Sequence, residues 1–224
     1  MILLFSGGMD SYIAWYYLRN PKTLYIDLNH RYSYQERTAV LNLIPSTYID
    51  KRLDLHDWEE EDANIPMRNA FFAMIASQYD KEIALVVQKG EMTIPDRSPE
   101  FFRNFGSWIS WMRGKPGYSI MSPFFEMTKT DMVSWYINRG EDPKLLLATR
   151  SCFGILHDPC GKCGACFRRW VALTNNGLEE EYVYPITEWE GIPHYIEKMK
   201  AGQYDSKRTE ETFRALRRAG IKYE

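Results

Sequence analysis

Short apolar runs alternate along this chain with longer stretches of helical periodicity. Residues 1–5, 23–28, 46–49, 82–87 and 118–121 read as strands, and several are continuously apolar, as strands buried on both faces are. Residues 11–18, 33–43, 67–79 and 99–112 read as the helices between most of them. This alternation predicts an α/β fold with a mostly parallel sheet flanked by helices, and such sheets bind ligands at the carboxyl ends of their strands. Further on, Thr128 with Asp131 three residues later has the spacing of a capping box, followed by an amphipathic run at 132–138 and a stop at Gly140. That helix turns Met132, Trp135 and Tyr136 inward, and Trp108 and Trp111 are expected to pack inward on theirs. From Cys152 the composition changes to Gly and Cys, then to a charged helical tail over 197–222. We therefore expect an α/β domain over 1–145 and a small C-terminal helical region over 146–224.

Composition narrows the class. The chain has 224 residues, 45% hydrophobic and 26% charged, which excludes disordered, collagen-like and coiled-coil proteins. With 28 basic and 30 acidic residues, the net charge of -2 argues against coating nucleic acid by bulk electrostatics. A local basic run remains in Arg168, Arg169, Lys207, Arg208, Arg214, Arg217 and Arg218. It reads as a solvated amphipathic surface or a contact between copies, diluted by Glu210 and Glu211. No stretch approaches the roughly 18 apolar residues of a membrane span, and the apolar N-terminus has no basic lead-in, so a cytoplasmic protein is expected.

Two segments carry chemistry. Ser6-Gly7-Gly8-Met9-Asp10-Ser11 lies between the first strand and the first helix. Two glycines let the backbone turn and present N–H groups, and the helix N-terminus adds partial positive charge, so the loop can cradle a phosphate or pyrophosphate. Ser6 and Ser11 add hydroxyls, while Asp10 can cap the helix or help hold magnesium. Neither a Walker-type G-x-x-x-x-G-K-[ST] nor a dinucleotide G-x-G-x-x-G is present.

The second segment gathers all four cysteines as Cys152-x7-Cys160-x2-Cys163-x2-Cys166. Four thiolates suit a closed tetrahedral structural zinc site, and Gly161 and Gly164 permit the tight turns that aim N–H groups at sulfur. An iron-sulfur cluster is the next reading and a redox dithiol the last. His157 is the nearest alternative ligand.

The loop string resembles the pyrophosphate-binding loop of the N-type ATP pyrophosphatases (the PP-loop superfamily). Together with the cysteine cluster it resembles the 7-cyano-7-deazaguanine synthase (QueC/ExsB) family, from Ile2 to about Trp170. Tyr25-Ile26-Asp27, Ile65-Pro66-Met67-Arg68-Asn69, Pro95-Asp96 ahead of Glu100-Phe101, Ser122-Pro123 with Lys129, and Cys166-Phe167-Arg168-Arg169 match its pieces in order. The resemblance implies a Rossmann-like fold of the adenine nucleotide α-hydrolase type. It implies an AMP-forming carbon-nitrogen ligase with ATP, ammonia and 7-carboxy-7-deazaguanine as substrates, structural zinc on the four cysteines, and magnesium with the phosphates. The product, an amide and then a nitrile, would feed deazaguanine modification of tRNA or DNA of the queuosine type. No membrane or direct nucleic-acid partner is implied, and a homodimer is.

On this resemblance Ser6, Gly7, Gly8, Met9, Asp10 and Ser11 take the phosphates, Arg68 and Lys129 neutralise charge with Asp10, and Asp27 holds ribose, adenine or metal. Asp96 and Gln88 are the candidate contacts to the deazapurine. Each has a plainer reading as a surface charge, cap or turn residue. The sequence departs from the family where its Gly before Arg-Asn is Met67, where its Gly-Gln after the second strand is Asn29-His30, and across Gln88 to Ile94. Three alternatives follow: an enzyme that stops at the amide or uses another amine, a tRNA-modifying pyrophosphatase whose tail from Lys198 to Arg218 meets RNA, and a zinc-binding interaction module.

Overall fold

The structure is a computed structural model that describes residues 1–61 and 64–221. Among the described residues, β1 (Ile2–Leu4), β2 (Lys22–Ile26), β3 (Tyr48–Asp50), β4 (Glu82–Ala84) and β5 (Ser119–Met121) form one parallel sheet in the order β3-β2-β1-β4-β5. The central strand has Leu3 beside Thr23 of β2 and Ala84 of β4. The chain runs outward from β1 through α1 (Met9–Tyr17) and α2 (Ser33–Leu43) to β3. It then returns through α3 (Arg68–Ala76) to the other side of β1. The strand order thus reverses between β1 and β4, the place where doubly wound sheets open a crevice.

The two-residue period of the strands sorts the core. Leu3, Phe5, Tyr25 and Ala84 face one side, where Ile13 of α1, Val40 of α2 and Met132, Val133 and Tyr136 of α5 (Lys129–Asn138) pack on them. Ile2, Leu24, Ile26, Ile83 and Leu85 face the other, against Ala73 and Ala76 of α3 and Phe102 and Ile109 of α4 (Pro99–Met112). A third cluster surrounds the cysteines with Phe167 and Val171 of α7 (Gly164–Asn175), Ile192 and Ile196 of α8 (Ile192–Lys200) and Leu216 of α9 (Ser206–Arg218). Helix α6 (Pro143–Leu147) connects the sheet to this region. Among the described residues no helix is long and apolar enough to cross a membrane.

The capping box forms as read: Asp131 N–H donates to Thr128 Oγ1 at 3.2 Å and Thr128 N–H to Asp131 Oδ2 at 3.0 Å. Other readings need correction. The fourth strand ends at Ala84, not 87, because Ser122 Oγ receives the Val87 N–H at 3.0 Å in place of the ladder and Pro123 has no N–H to continue it. Trp108 and Trp111 point outward, 52% and 76% exposed, since α4 buries the stripe Phe102, Gly106 and Ile109 on its opposite face. The charged tail is two helices, broken at 201–205 where Gly202 takes φ +71° and Asp205 caps α9 by accepting the Arg208 N–H. Lys222 lies outside the described residues.

Candidate active site and metal centre

At the carboxyl ends of β1, β2 and β4 the structure opens a cleft of about 250 Å³. Ser6, Gly8, Met9, Asp10 and Ser11 line its floor. Gly7 turns the loop at φ +71°, and a Cβ there would lie 2.9 Å from the Val40 backbone N, so α2 packs too closely for any side chain. Gly8 N–H reaches Ser6 Oγ at 3.3 Å, and the Ser11 hydroxyl donates to Gly8 O at 3.0 Å. Helix α1 starts at Met9, two residues before the expected position, which brings its N-terminal N–H groups to the loop.

Basic side chains gather over this floor from distant parts of the chain. Lys129 Nζ, at the start of α5, bonds both carboxylate oxygens of Asp10. Arg68 enters from α3, its guanidinium 5.8 Å from the Phe72 ring. Arg150 hangs over the loop: its backbone N–H donates to Gly7 O at 2.8 Å, while its side chain reaches the His157 and Gly154 carbonyls. Arg168 enters from α7. Opposite these cations, burial would raise the Glu91 carboxyl, but Arg97, Lys129 and Arg168 together hold it below the usual carboxylate range. Gln88 is 5% exposed, and its Oε1 has no partner. The wall at the β2 end is aromatic. His30 lies 4.0 Å from the Tyr32 ring, Tyr32 stacks toward Phe153 at 5.6 Å, and Glu36 accepts from Tyr25 Oη and pairs with His30 Nε2 at 3.2 Å. Flat faces and unpaired polar atoms at His30 Nδ1 and Gln88 Oε1 suit planar heterocycles.

Three of the candidate residues lie outside the cleft lining: Gly7, which turns beneath it, Asp27 and Asp96. Asp27 is 6% exposed and occupied by its neighbours. Burial raises its carboxyl, and the Asn29 N–H at 3.1 Å and the Arg37 guanidinium at 2.6 Å bring it below the ordinary value. Asp96 accepts the Asn69 N–H at 3.2 Å, at the start of α3. Arg68, Lys129, Gln88 and the loop residues Ser6, Gly8, Met9, Asp10 and Ser11 do line the cleft.

The basic run divides: Arg169 is buried and Arg168 and Arg208 are half-buried, whereas Lys207, Arg214, Arg217 and Arg218 keep the solvated face of the amphipathic helix α9. Arg169 is 1% exposed, paired with Glu180 at 2.7 Å and bonded to Thr149 Oγ1 and Leu146 O. Lys207 binds Asp131, Arg214 binds Glu210, Arg218 donates to the carbonyls at the end of α7, and Arg208 stacks 4.7 Å over Tyr204. Sequence reasoning missed Arg150, Glu91 and Arg168 as cleft residues. The one available signal was that Arg168 follows Cys166 by two positions, where a metal site would hold it in place.

The four sulfurs lie within 4.8 Å of one another, while His157 is 98% exposed and turned to Asp158. Backbone N–H groups point at the thiols: Gly154 and Cys160 at Cys152, Lys162 at Cys160, Cys166 at Cys163. Gly161 takes φ +75° with Tyr184 O where a Cβ would stand, so only glycine allows this turn. Burial pushes the Cys160 thiol up to about 11, and so compact a group of sulfurs suits a closed thiolate site for one metal ion such as zinc.

The sequence profile described as "Queuosine biosynthesis protein QueC" matches residues 40–177. A 7-cyano-7-deazaguanine synthase of Pseudoalteromonas atlantica is 25% identical over 217 residues, covering 82% of this chain and 98% of that protein. One of Archaeoglobus fulgidus is 24% identical over 233 residues, covering 89% and 96%. One of Methanosarcina mazei is 30% identical over 134 residues, covering 57% and 54%. With the profile spanning more than half its length and taking in all four cysteines, this chain belongs to the QueC family.

Proposed function

We propose that the protein is an ATP-dependent 7-cyano-7-deazaguanine synthase. The observation that carries the reading is the meeting of the loop at Ser6 to Ser11 with Lys129, Arg68 and Arg168 in one cleft at the β1/β4 switch point. Carboxylates are poor electrophiles, so the acid must first be given a leaving group. A carboxylate oxygen of 7-carboxy-7-deazaguanine attacks the α-phosphorus of ATP and pyrophosphate leaves. Ammonia then attacks the acyl carbon and AMP departs, leaving the amide. A second ATP takes the amide oxygen in the same way, and loss of AMP with the nitrogen-bound protons yields the nitrile.

The protein's part is positioning and charge neutralisation. The loop N–H groups and the Ser6 and Ser11 hydroxyls receive pyrophosphate. Lys129 and Arg68 neutralise charge that develops on the phosphates, Lys129 exchanging its Asp10 contact for a phosphate oxygen. Asp10 would be the protein carboxylate for a magnesium ion arriving with the phosphates, and the ion would neutralise charge on them. The cysteine-bound metal has a structural role, because four thiolates leave no open position for substrate.

The test incubates the pure protein with ATP, magnesium, ammonium and 7-carboxy-7-deazaguanine, following AMP and the deazapurine by mass spectrometry, with Lys129→Met as control. Nitrile should accumulate with two AMP per molecule, and the control should lose about 100-fold or more in rate. AMP without nitrile, or no AMP from the wild type, would overturn the reading.

A further inference from the structure

Arg168 is the side chain in the cleft whose purpose the nucleotide does not account for. It lies two residues beyond Cys166 in the first turns of α7, so the cysteine cluster sets its backbone. Its Nη1 donates to Tyr195 Oη at 3.0 Å, and this is the protein acceptor given for its guanidinium among the described residues. The arrangement is built for. Residue 164 is a glycine, and a Cβ there would stand 2.8 Å from Tyr195 Oη and 3.3 Å from Arg168 Nη1, so a larger residue would force the pair apart. Tyr195 is backed by Tyr204, its ring 5.7 Å away, and Tyr204 by Arg208. A half-buried guanidinium held this way, with further N–H donors toward a cleft, is organised for an anion.

Which anion follows from the neighbours. The phosphate loop has its own backbone donors, and Lys129 already stands at Asp10. Arg168 lines the cleft with Gln88 and Glu91, which follow β4, and interacts electrostatically with Glu91 and, less strongly, with Asp10. Gln88 Oε1 is a buried acceptor without a donor. A fixed cation beside an orphaned acceptor complements a planar heterocycle that carries a carboxylate and ring N–H groups. Resting on the functional reading above, we propose that Arg168 binds the carboxylate of the acceptor substrate, with Gln88 taking an N–H of its ring. One carboxylate oxygen is held by the guanidinium while the other faces the α-phosphorus. Arg168 thereby distinguishes the acid from its own amide, which has no charge to offer.

Steady-state kinetics on the metal-loaded full chain test this, using AMP release at saturating ATP with the acid or the amide as substrate. Arg168→Met should raise KM for the acid about 10- to 100-fold, the usual cost of losing charge-assisted hydrogen bonds, while KM for the amide and for ATP stay within about 3-fold. Arg168→Lys should fall between, and Tyr195→Phe, which frees the guanidinium without removing it, should shift only the acid, by several-fold. Equal effects on acid and amide, or a rise confined to KM for ATP, would overturn the assignment. Thermal unfolding is recorded for each variant, and if Arg168→Met does not fold, the Lys and Tyr195 variants decide. Wild-type protein that releases no AMP with either substrate removes the functional reading itself. Wild-type turnover with unaltered discrimination in the variants removes this inference alone.

Discussion

Met67 shows how much a single dihedral angle can carry. It precedes α3 with φ 58° and is 60% exposed, and a side chain in the left-handed region costs about 1–2 kcal/mol. The departure from the glycine of the resembled motif is visible in the sequence, and its meaning only in the backbone angle. Met67→Gly should therefore raise the unfolding free energy by about 0.5–1 kcal/mol in urea, after the entropy of a flexible glycine is subtracted. No change or a loss would refute the strain. Asp50 offers a second check at this scale. Its hydrogen bond from Arg52, with the Arg52 N–H and Tyr79 hydroxyl added against burial, lowers the carboxyl to about 2. A carboxyl lowered in the folded state adds stability above its unfolded value near 4, and that stability disappears as pH falls toward 2. Because Arg52 is 67% exposed, we expect about 1 kcal/mol of the acid loss to vanish in Asp50→Asn, read from urea unfolding at pH 5 and 2.5.

Elements meet at the phosphate loop and at α7. The loop is squeezed between α2 and the segment around Arg150, with Gly7 in the left-handed region. Gly7→Ala should reduce AMP formation by at least about 100-fold and cost about 2 kcal/mol or more of stability, from backbone strain and the contact with Val40. A variant that retains wild-type turnover would mean the loop has a different working conformation. Helix α7 is tied to the end of α6 and to Glu180 by Arg169, an ion pair with side chains 2% and 9% exposed. Arg169→Met should cost about 3–5 kcal/mol, because Glu180 is left buried and unpaired, and Glu180→Gln combined with it should recover part of the loss. The sequence marked these arginines as a basic run but not as inward-facing, since burial of a charge depends on a partner eleven residues away in another turn of chain.

At the scale of the whole molecule, the cysteine cluster and the cleft are one device. Arg150 and Arg168 flank the cluster on its two sides, Arg150 anchored to carbonyls of the loop from Gly154 to His157. Removing the metal with a chelator should lower the melting temperature by about 10 °C, the shift expected for roughly 4 kcal/mol in a domain of this size. It should also abolish AMP release, with both properties restored by zinc and neither by magnesium. Full activity in chelated, metal-free protein would separate the cluster from the cleft.

The strands were legible in the primary structure from their apolar runs, and the capping box at Thr128, the phosphate loop and the cysteine spacing because each lies within a short stretch of chain. The same holds for the α/β class, since apolar runs that alternate with helical periods have few other ways to bury themselves. The active cleft is different in kind. Lys129 and Asp10 are 119 positions apart, and Arg168 enters the cleft from a helix that starts at the cysteines, its guanidinium held by Tyr195. Asp27 and Asp96, well placed by motif, turn out to be engaged with Arg37 and Asn69. Side chains of one chemical type compete for the same partners, and which of them keeps a free face toward the cleft is settled by packing over long distances in the chain.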